Sequence, residues 1–174
     1  MRDADILGRL EELGLELPAP PEPVASYVPV KRAGALAFVA GQVAMVDGRL
    51  LHPGRLGRQV SVEMGQEAAA RAGLQALSAI RDHLGGSFDR LVQLLQVTVF
   101  VAADGDFVEH PAVANGASDA LVAVLGPGGR HARAAVGVAS LPLGACVEVA
   151  VTAEVSEEPD PMTNAGTAGR PPVA

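Results

Sequence analysis

Two stretches, His131-Ala132-Arg133-Ala134-Ala135-Val136-Gly137-Val138 and Ala145-Cys146-Val147-Glu148-Val149-Ala150-Val151, flank the segment Leu141-Pro142-Leu143-Gly144. Valine and small residues favour extended backbone, and Pro and Gly between them favour a turn, so the pattern predicts two strands, about 131 to 138 and 145 to 155. Each run carries one charge that stands out, Arg133 in the first and Glu148 in the second. A charge in such surroundings is rarely buried without a partner.

Upstream of this pair, Leu91 to Ala102 is a Leu/Val/Phe run that suits a strand largely buried on both faces. Between it and Arg133, residues 111 to 125 predict a helix with Pro111 near its first turn, stopped by Gly126-Pro127-Gly128-Gly129. Residues 61 to 84 hold Val62, Ala69, Ala72, Ala76, Leu77, Ile80 and Leu84 at helical spacing, with Glu63, Glu67, Arg71 and Arg81 on the polar face. Further back, Tyr27 to Val30 and Ala35 to Ala40 read as a hairpin around Lys31-Arg32-Ala33-Gly34. Val43 to Leu51 extends it or forms a loop, turning at Asp47-Gly48. Ile6, Leu7, Leu10 and Leu13 mark a short amphipathic helix, followed by Pro-rich residues 18 to 23 that cannot continue it.

The order is thus ββαβαββ, an α+β domain with a mixed sheet and two helices on one face. The other sheet face needs cover that a chain of 174 residues does not supply, which predicts a homo-oligomer. The expected division is 1–23 for the N-terminal helix and Pro-rich linker, 24–155 for the domain, and 156–174 for a disordered Pro, Gly, Thr and Ala-rich tail.

A net charge of −7 repels phosphate backbones, so nucleic acid is not an expected partner. No run of 18 apolar residues suggests a membrane span, the N-terminus lacks a secretion pattern, and the single cysteine, Cys146, fits a reducing cytoplasm. The glycine-rich Gly126 to Gly129 lacks the Lys-Ser/Thr of a phosphate loop, and His52, His83, His110 and His131 have no metal-ligand spacing. No metal or cofactor is expected. Cys146, mid-strand without a basic neighbour, reads as a core residue rather than a nucleophile.

Two readings of Arg133 and Glu148 stand side by side. Each could point to solvent from an amphipathic strand, or the two could pair with each other. Alternatively, a guanidinium offers a planar fork for a substrate carboxylate and a carboxylate can orient and activate a water, which together suit hydrolysis at an electrophilic carbon beside a carboxylate.

The ordered series His131-Ala132-Arg133 through Val138, Leu141-Pro142 and Val147-Glu148-Val149 resembles the signature of the Rid (YjgF-like) reactive intermediate deaminase family. Tyr27 with Gly34, and Phe38-Val39-Ala40-Gly41-Gln42, are similar to that family's opening hairpin, and Val97 to Val101 resembles its central strand. The resemblance covers about residues 24 to 155, with the N-terminal helix and C-terminal tail as additions. It implies a chorismate-mutase-like fold in which three chains form a homotrimeric barrel with clefts between subunits, and hydrolysis of reactive enamines and imines to 2-oxo acids and ammonia without metal or organic cofactor. By the same resemblance Arg133 would hold the substrate carboxylate, helped by the backbone N–H of Ala135. Gly41 would offer its carbonyl near the imine nitrogen, Tyr27 would line the cleft, and Glu148 would position the attacking water. Asn115 would come from the neighbouring subunit's side. Ala40 stands where the family typically has Ser, and the alternative is a non-catalytic trimer that binds small carboxylates. Ribonuclease, an older label in that family, is disfavoured by the acidic charge.

Overall fold

The structure, a computed structural model, describes residues 2–20 and 26–156. Helix α1 (Asp3–Glu12) precedes strands β1 (Val30–Ala33) and β2 (Leu36–Val43), and a small hairpin, β3 (Met45–Val46) and β4 (Arg49–Leu50), follows. Then come α2 (Val62–His83), β5 (Leu91–Ala102), α3 (His110–Leu125), β6 (Ala132–Val138) and β7 (Val147–Val155). The main sheet runs β1-β2-β7-β5-β6, antiparallel except for the parallel pair β5/β6, so it is mixed as expected.

Alternation along β7 shows which face is covered. Val147, Val149, Val151, Ala153 and Val155 are buried, whereas Glu148, Ala150, Thr152 and Glu154 are only partly so. On β5, Val97, Val99 and Val101 share the buried side. Helices α2 and α3 cover that side, and they approach closely because small residues line their contact. A Cβ at Gly116 would come within 2.7 Å of the Gln66 backbone, so only glycine fits there. Ser61 starts α2 by accepting a hydrogen bond from the Met64 backbone N–H.

Among the described residues no element covers the opposite face. Phe38 is 43% exposed and Val136 42%, with Phe100 paired between Val136 and Glu148. These apolar side chains share that face, though not one cross-strand row, and meet water on it.

Two details depart from the sequence reading. The first turn is the two residues Gly34-Ala35 rather than Lys31 to Gly34, because Val30 pairs with Val39 and Ala33 with Leu36, leaving Lys31 to Ala33 inside an edge strand that tolerates charge. Tyr27 accordingly lies in a bend before β1. The Asp47-Gly48 turn is as expected, with both residues at positive φ (49° and 74°), the mirror-image turn that suits a tight hairpin.

Helix α1 turns Ile6 and Leu10 into the common core and leaves Leu7 and Leu13 largely exposed, so its apolar stripe is narrower than the spacing suggests. Asp3 fastens its start: the carboxylate accepts from Arg81 at 3.0 and 3.1 Å and from the Phe88 backbone N–H at 2.9 Å. The Arg81 hydrogen bond holds the Asp3 carboxyl below its usual pKa. Beyond the helix, Ser78 Oγ donates to the Pro18 carbonyl at 2.6 Å and Gln75 Nε2 to that of Ala19 at 2.7 Å, which straps this segment to α2. Of the expected Pro-rich linker, residues 21–23 lie outside the described residues, as do residues 24 and 25 and all of the expected disordered tail 156–174 except Ser156.

Candidate functional site

The predicted residues fall into two groups. The first gathers on β2, β7 and the bend before β1. In the pairing of β2 with β7, Val39 faces Val151 and Gln42 faces Val149, so Ala40 and Gly41 together oppose Ala150 as a bulge. Gln42 stabilises the bulge by donating Nε2–H to the Ala40 carbonyl at 2.9 Å. Glu148 sits across from Val43 and Phe100 and lays its carboxylate over Gly41: a Cβ there would stand 2.6 Å from Glu148 Cδ, and nearer still to Oε1. Gly41 has no positive φ, so here the missing side chain matters rather than the backbone freedom.

Glu148 is half-buried, and among the described residues no hydrogen bond or ion pair reaches its carboxylate. Burial in apolar surroundings pushes its pKa up from the ordinary carboxylate value. A carboxylate that the protein neither pairs nor hydrates by its own donors is available to a water or a ligand.

Tyr27 and Gly41 both line a cavity of about 650 Å³ whose wall also holds Gln42, Met45, Arg71, Gln75 and Leu143. Leu143 takes a left-handed backbone (φ 60°) in the Pro142–Gly144 turn and is 79% exposed. That conformation costs a non-glycine residue about 1 kcal/mol or more.

The second group surrounds β6. Arg133 pairs with Val97 and Ala135 with Val99, both on the helix-covered side, and Arg133 reaches α3. Its Nη1 donates to Asn115 Oδ1 at 2.8 Å and to Ser118 Oγ at 3.1 Å, while Nη2 lies 3.5 Å from the Pro111 carbonyl. Asn115 thus meets Arg133 within one chain. Ser118 also contacts His131 Nε2 at 3.1 Å, and His131 Nδ1 lies 2.6 Å from the Gly129 carbonyl. A carbonyl only accepts, so Nδ1 carries a proton. With Nε2 unprotonated, that nitrogen accepts from Ser118, whose oxygen accepts in turn from Arg133. This relay occupies Nη1, and one Nη2 N–H donates to the Pro111 carbonyl, which leaves Nε–H and the second Nη2 N–H for a ligand. Ala135 is half-buried against the core two residues further along.

Arg133 and Glu148 do not pair. They lie on opposite sides of the sheet, with β5 between them, and the register places Arg133 beside Val97 and Glu148 beside Phe100, roughly 10 Å further along. β6 is an edge strand, so the Arg133 group borders the outside of the sheet. Within one chain the structure therefore carries two half-sites.

Ser118 and His131 escaped the sequence reading as partners of Arg133. The sequence reading holds His131 only as the first residue of the His131-Ala132-Arg133 motif and as a histidine without metal-ligand spacing, and no spacing rule connects Ser118 with Arg133, 15 residues apart across a helix and a strand. Cys146 is buried, and desolvation pushes its thiol up to about 11, which keeps it from acting as a thiolate. No helix among the described residues is long and apolar enough to cross a membrane.

Known proteins resemble this chain over most of its length. The family model described as "YjgF/chorismate mutase-like, putative endoribonuclease" matches residues 7–155. A curated relative, Protein TCP17 of Trypanosoma cruzi, is 40% identical over 152 residues, covering 87% of this chain and 94% of the relative. Among solved structures, Atu1372 of Agrobacterium tumefaciens, described as of unknown function, is 40% identical with a TM-score of 0.83, covering 88% of this chain and 94% of that one. A protein of Shewanella oneidensis described as a putative endoribonuclease is 30% identical with a TM-score of 0.82, covering 86% of this chain and 99% of that one. The matched region takes in most of α1 as well as the sheet and both larger helices, and the chain belongs to the YjgF/chorismate mutase-like family.

Proposed function

We propose that this protein is a homotrimeric deaminase that hydrolyses reactive enamine or imine intermediates of amino acids to 2-oxo acids and ammonia. The observation that carries this reading is Glu148, a half-buried carboxylate without a protein donor, held over a glycine that leaves room beside it. The split between half-sites supports the trimer: an Arg133 group at a sheet edge needs a second chain to bring it to Glu148. The uncovered face carrying Phe38, Phe100 and Val136 offers the apolar surface for that contact.

The chemistry follows from the groups. The Nε/Nη2 fork of Arg133 takes the substrate carboxylate in a charge-assisted pair, with the backbone N–H of Ala135 as a further donor. Asn115 acts through Arg133, fixing its orientation. The Gly41 carbonyl accepts from the imine N–H, and Tyr27 walls the cleft. Glu148 accepts a proton from water as the water oxygen attacks the imine carbon, and passes that proton to the imine nitrogen, giving a neutral amino alcohol; it then carries the hydroxyl proton to the same nitrogen as the C–N bond breaks. The nitrogen leaves as ammonia with the protons delivered to it, and the carbon becomes the carbonyl of a 2-oxo acid. A raised pKa suits Glu148 for taking and returning that proton.

The test is release of ammonia and 2-oxo acid from 2-aminoacrylate generated in situ. Wild type accelerates it, and Arg133→Ala lowers kcat/KM by about a hundredfold or more, the loss of a bidentate ion pair. Equal rates for the two proteins would sink the reading. A second reading, a trimer that binds small carboxylates without turnover, draws on Ala40, which leaves no hydroxyl beside Gly41 in the bulge. Binding of a 2-oxo acid by calorimetry with no deamination would select it. The endoribonuclease of the family description is not favoured, because a net charge of −7 opposes RNA.

A further inference from the structure

The cavity beside Gly41 is larger than the smallest substrates of such a reaction need. At about 650 Å³ it falls in the range of about 300–1,000 Å³ typical of sites for ligands of many more atoms than 2-aminoacrylate. Its wall also carries a cation. Arg71 projects from α2, and its Nε donates to the Met45 carbonyl at 2.9 Å, which fixes the guanidinium against the small hairpin. Among the described residues no carboxylate forms an ion pair with Arg71, and its two Nη groups make no hydrogen bond. Gln42 and Gln75 each donate one N–H, to the Ala40 and Ala19 carbonyls, and each retains a second N–H.

We infer that this cavity receives the substrate side chain and that Arg71 binds an acidic group at its far end, so the preferred substrates are imines or enamines of dicarboxylic amino acids. The assignment rests on the deaminase reading above: Gly41, which the Glu148 carboxylate overlies, also lines the cavity, although Glu148 itself does not. An acid of four or five carbons would place one carboxylate on Arg133 of a neighbouring chain and the other on Arg71. A half-buried guanidinium already oriented by its Nε loses little freedom on binding such a group. Asp47 also lines the cavity, at the exposed tip of the hairpin, and disfavours an anion passing close to it.

Calorimetry with 2-oxoglutarate and 2-oxobutyrate, stable analogues of the products, tests this on the full chain. Wild type is expected to bind 2-oxoglutarate about tenfold or more tighter, the effect of a charge-assisted hydrogen bond. Arg71→Met brings the ratio close to one. Arg71→Lys, which keeps the charge but loses the fork, gives an intermediate ratio and serves if the methionine variant folds poorly. Equal binding of both acids by wild type, or an undiminished ratio in both variants, overturns the role of Arg71 while the deaminase reading stands. Failure of wild type to bind either acid overturns both.

Discussion

Gly41 and Glu148 occupy one volume: the space a methyl group would take on Gly41 is already filled by the Glu148 carboxylate. Gly41→Ala must therefore push that carboxylate out of the bulge. A displacement of about 1 Å at the reacting group costs on the order of a hundredfold in rate, so kcat is expected to fall by at least that much while the far-ultraviolet circular dichroism stays native. Near-normal turnover by the alanine variant would remove Glu148 from the chemistry.

Glu148 also links activity to stability. Desolvation raises its folded pKa above the unfolded value, so the folded state holds its proton more tightly. Stability then falls as pH rises from the unfolded pKa through the folded one, and the ionised carboxylate is a net cost at neutral pH. Glu148→Gln should melt higher than wild type at pH 7, lose that advantage at acidic pH below both pKa values, and turn over about a hundredfold or more slowly. Wild-type kcat should rise with pH through an ionisation above the usual carboxylate range, and a variant that melts lower at pH 7 would contradict this account.

Ser118 and His131 are positioning residues for Arg133. Ser118→Ala removes one acceptor from Nη1, and a rise in KM of about two- to tenfold with little change in kcat is expected, the worth of one hydrogen bond in binding. His131→Phe should leave Ser118 free to turn and give a smaller effect in the same direction. A fall in kcat without change in KM would place these residues elsewhere in the mechanism.

The uncovered sheet face supplies the test of assembly. Phe38→Asp and Val136→Asp put a charge on this apolar face, and burying it without a partner costs several kcal/mol. Light scattering should find wild type as a trimer and these variants as monomers, with deaminase activity lost alongside. Active monomers would mean that one chain completes the site alone.

How far the sequence carried these conclusions depends on the range of the interaction. β5 was legible to the residue, because an uninterrupted Leu/Val/Phe run from Leu91 to Ala102 has few alternatives to a buried strand. Helices α2 and α3 followed from periodicity and from Pro111 and Gly126 at their ends. The first turn was misplaced because Lys31 and Arg32 look like turn chemistry, while cross-strand register, which composition does not encode, keeps them in β1. Tyr27, Gly41 and Glu148 were legible as positions through family resemblance. Arg71 was not: on α2 it falls on the polar face, and only the tertiary packing of the small hairpin gives its guanidinium a cavity to face.

Placing Arg133 and Glu148 on opposite sides of one sheet has a genetic consequence. In a closed ring where each site draws Arg133 from one chain and Glu148 from the next, a chain lacking the arginine and a chain lacking the glutamate are defective in different halves. Mixed after gentle dissociation, Arg133→Ala and Glu148→Gln chains would form hybrid rings in which one junction inherits both native side chains. Two inactive preparations would then restore measurable turnover to each other, and coexpressed alleles would complement.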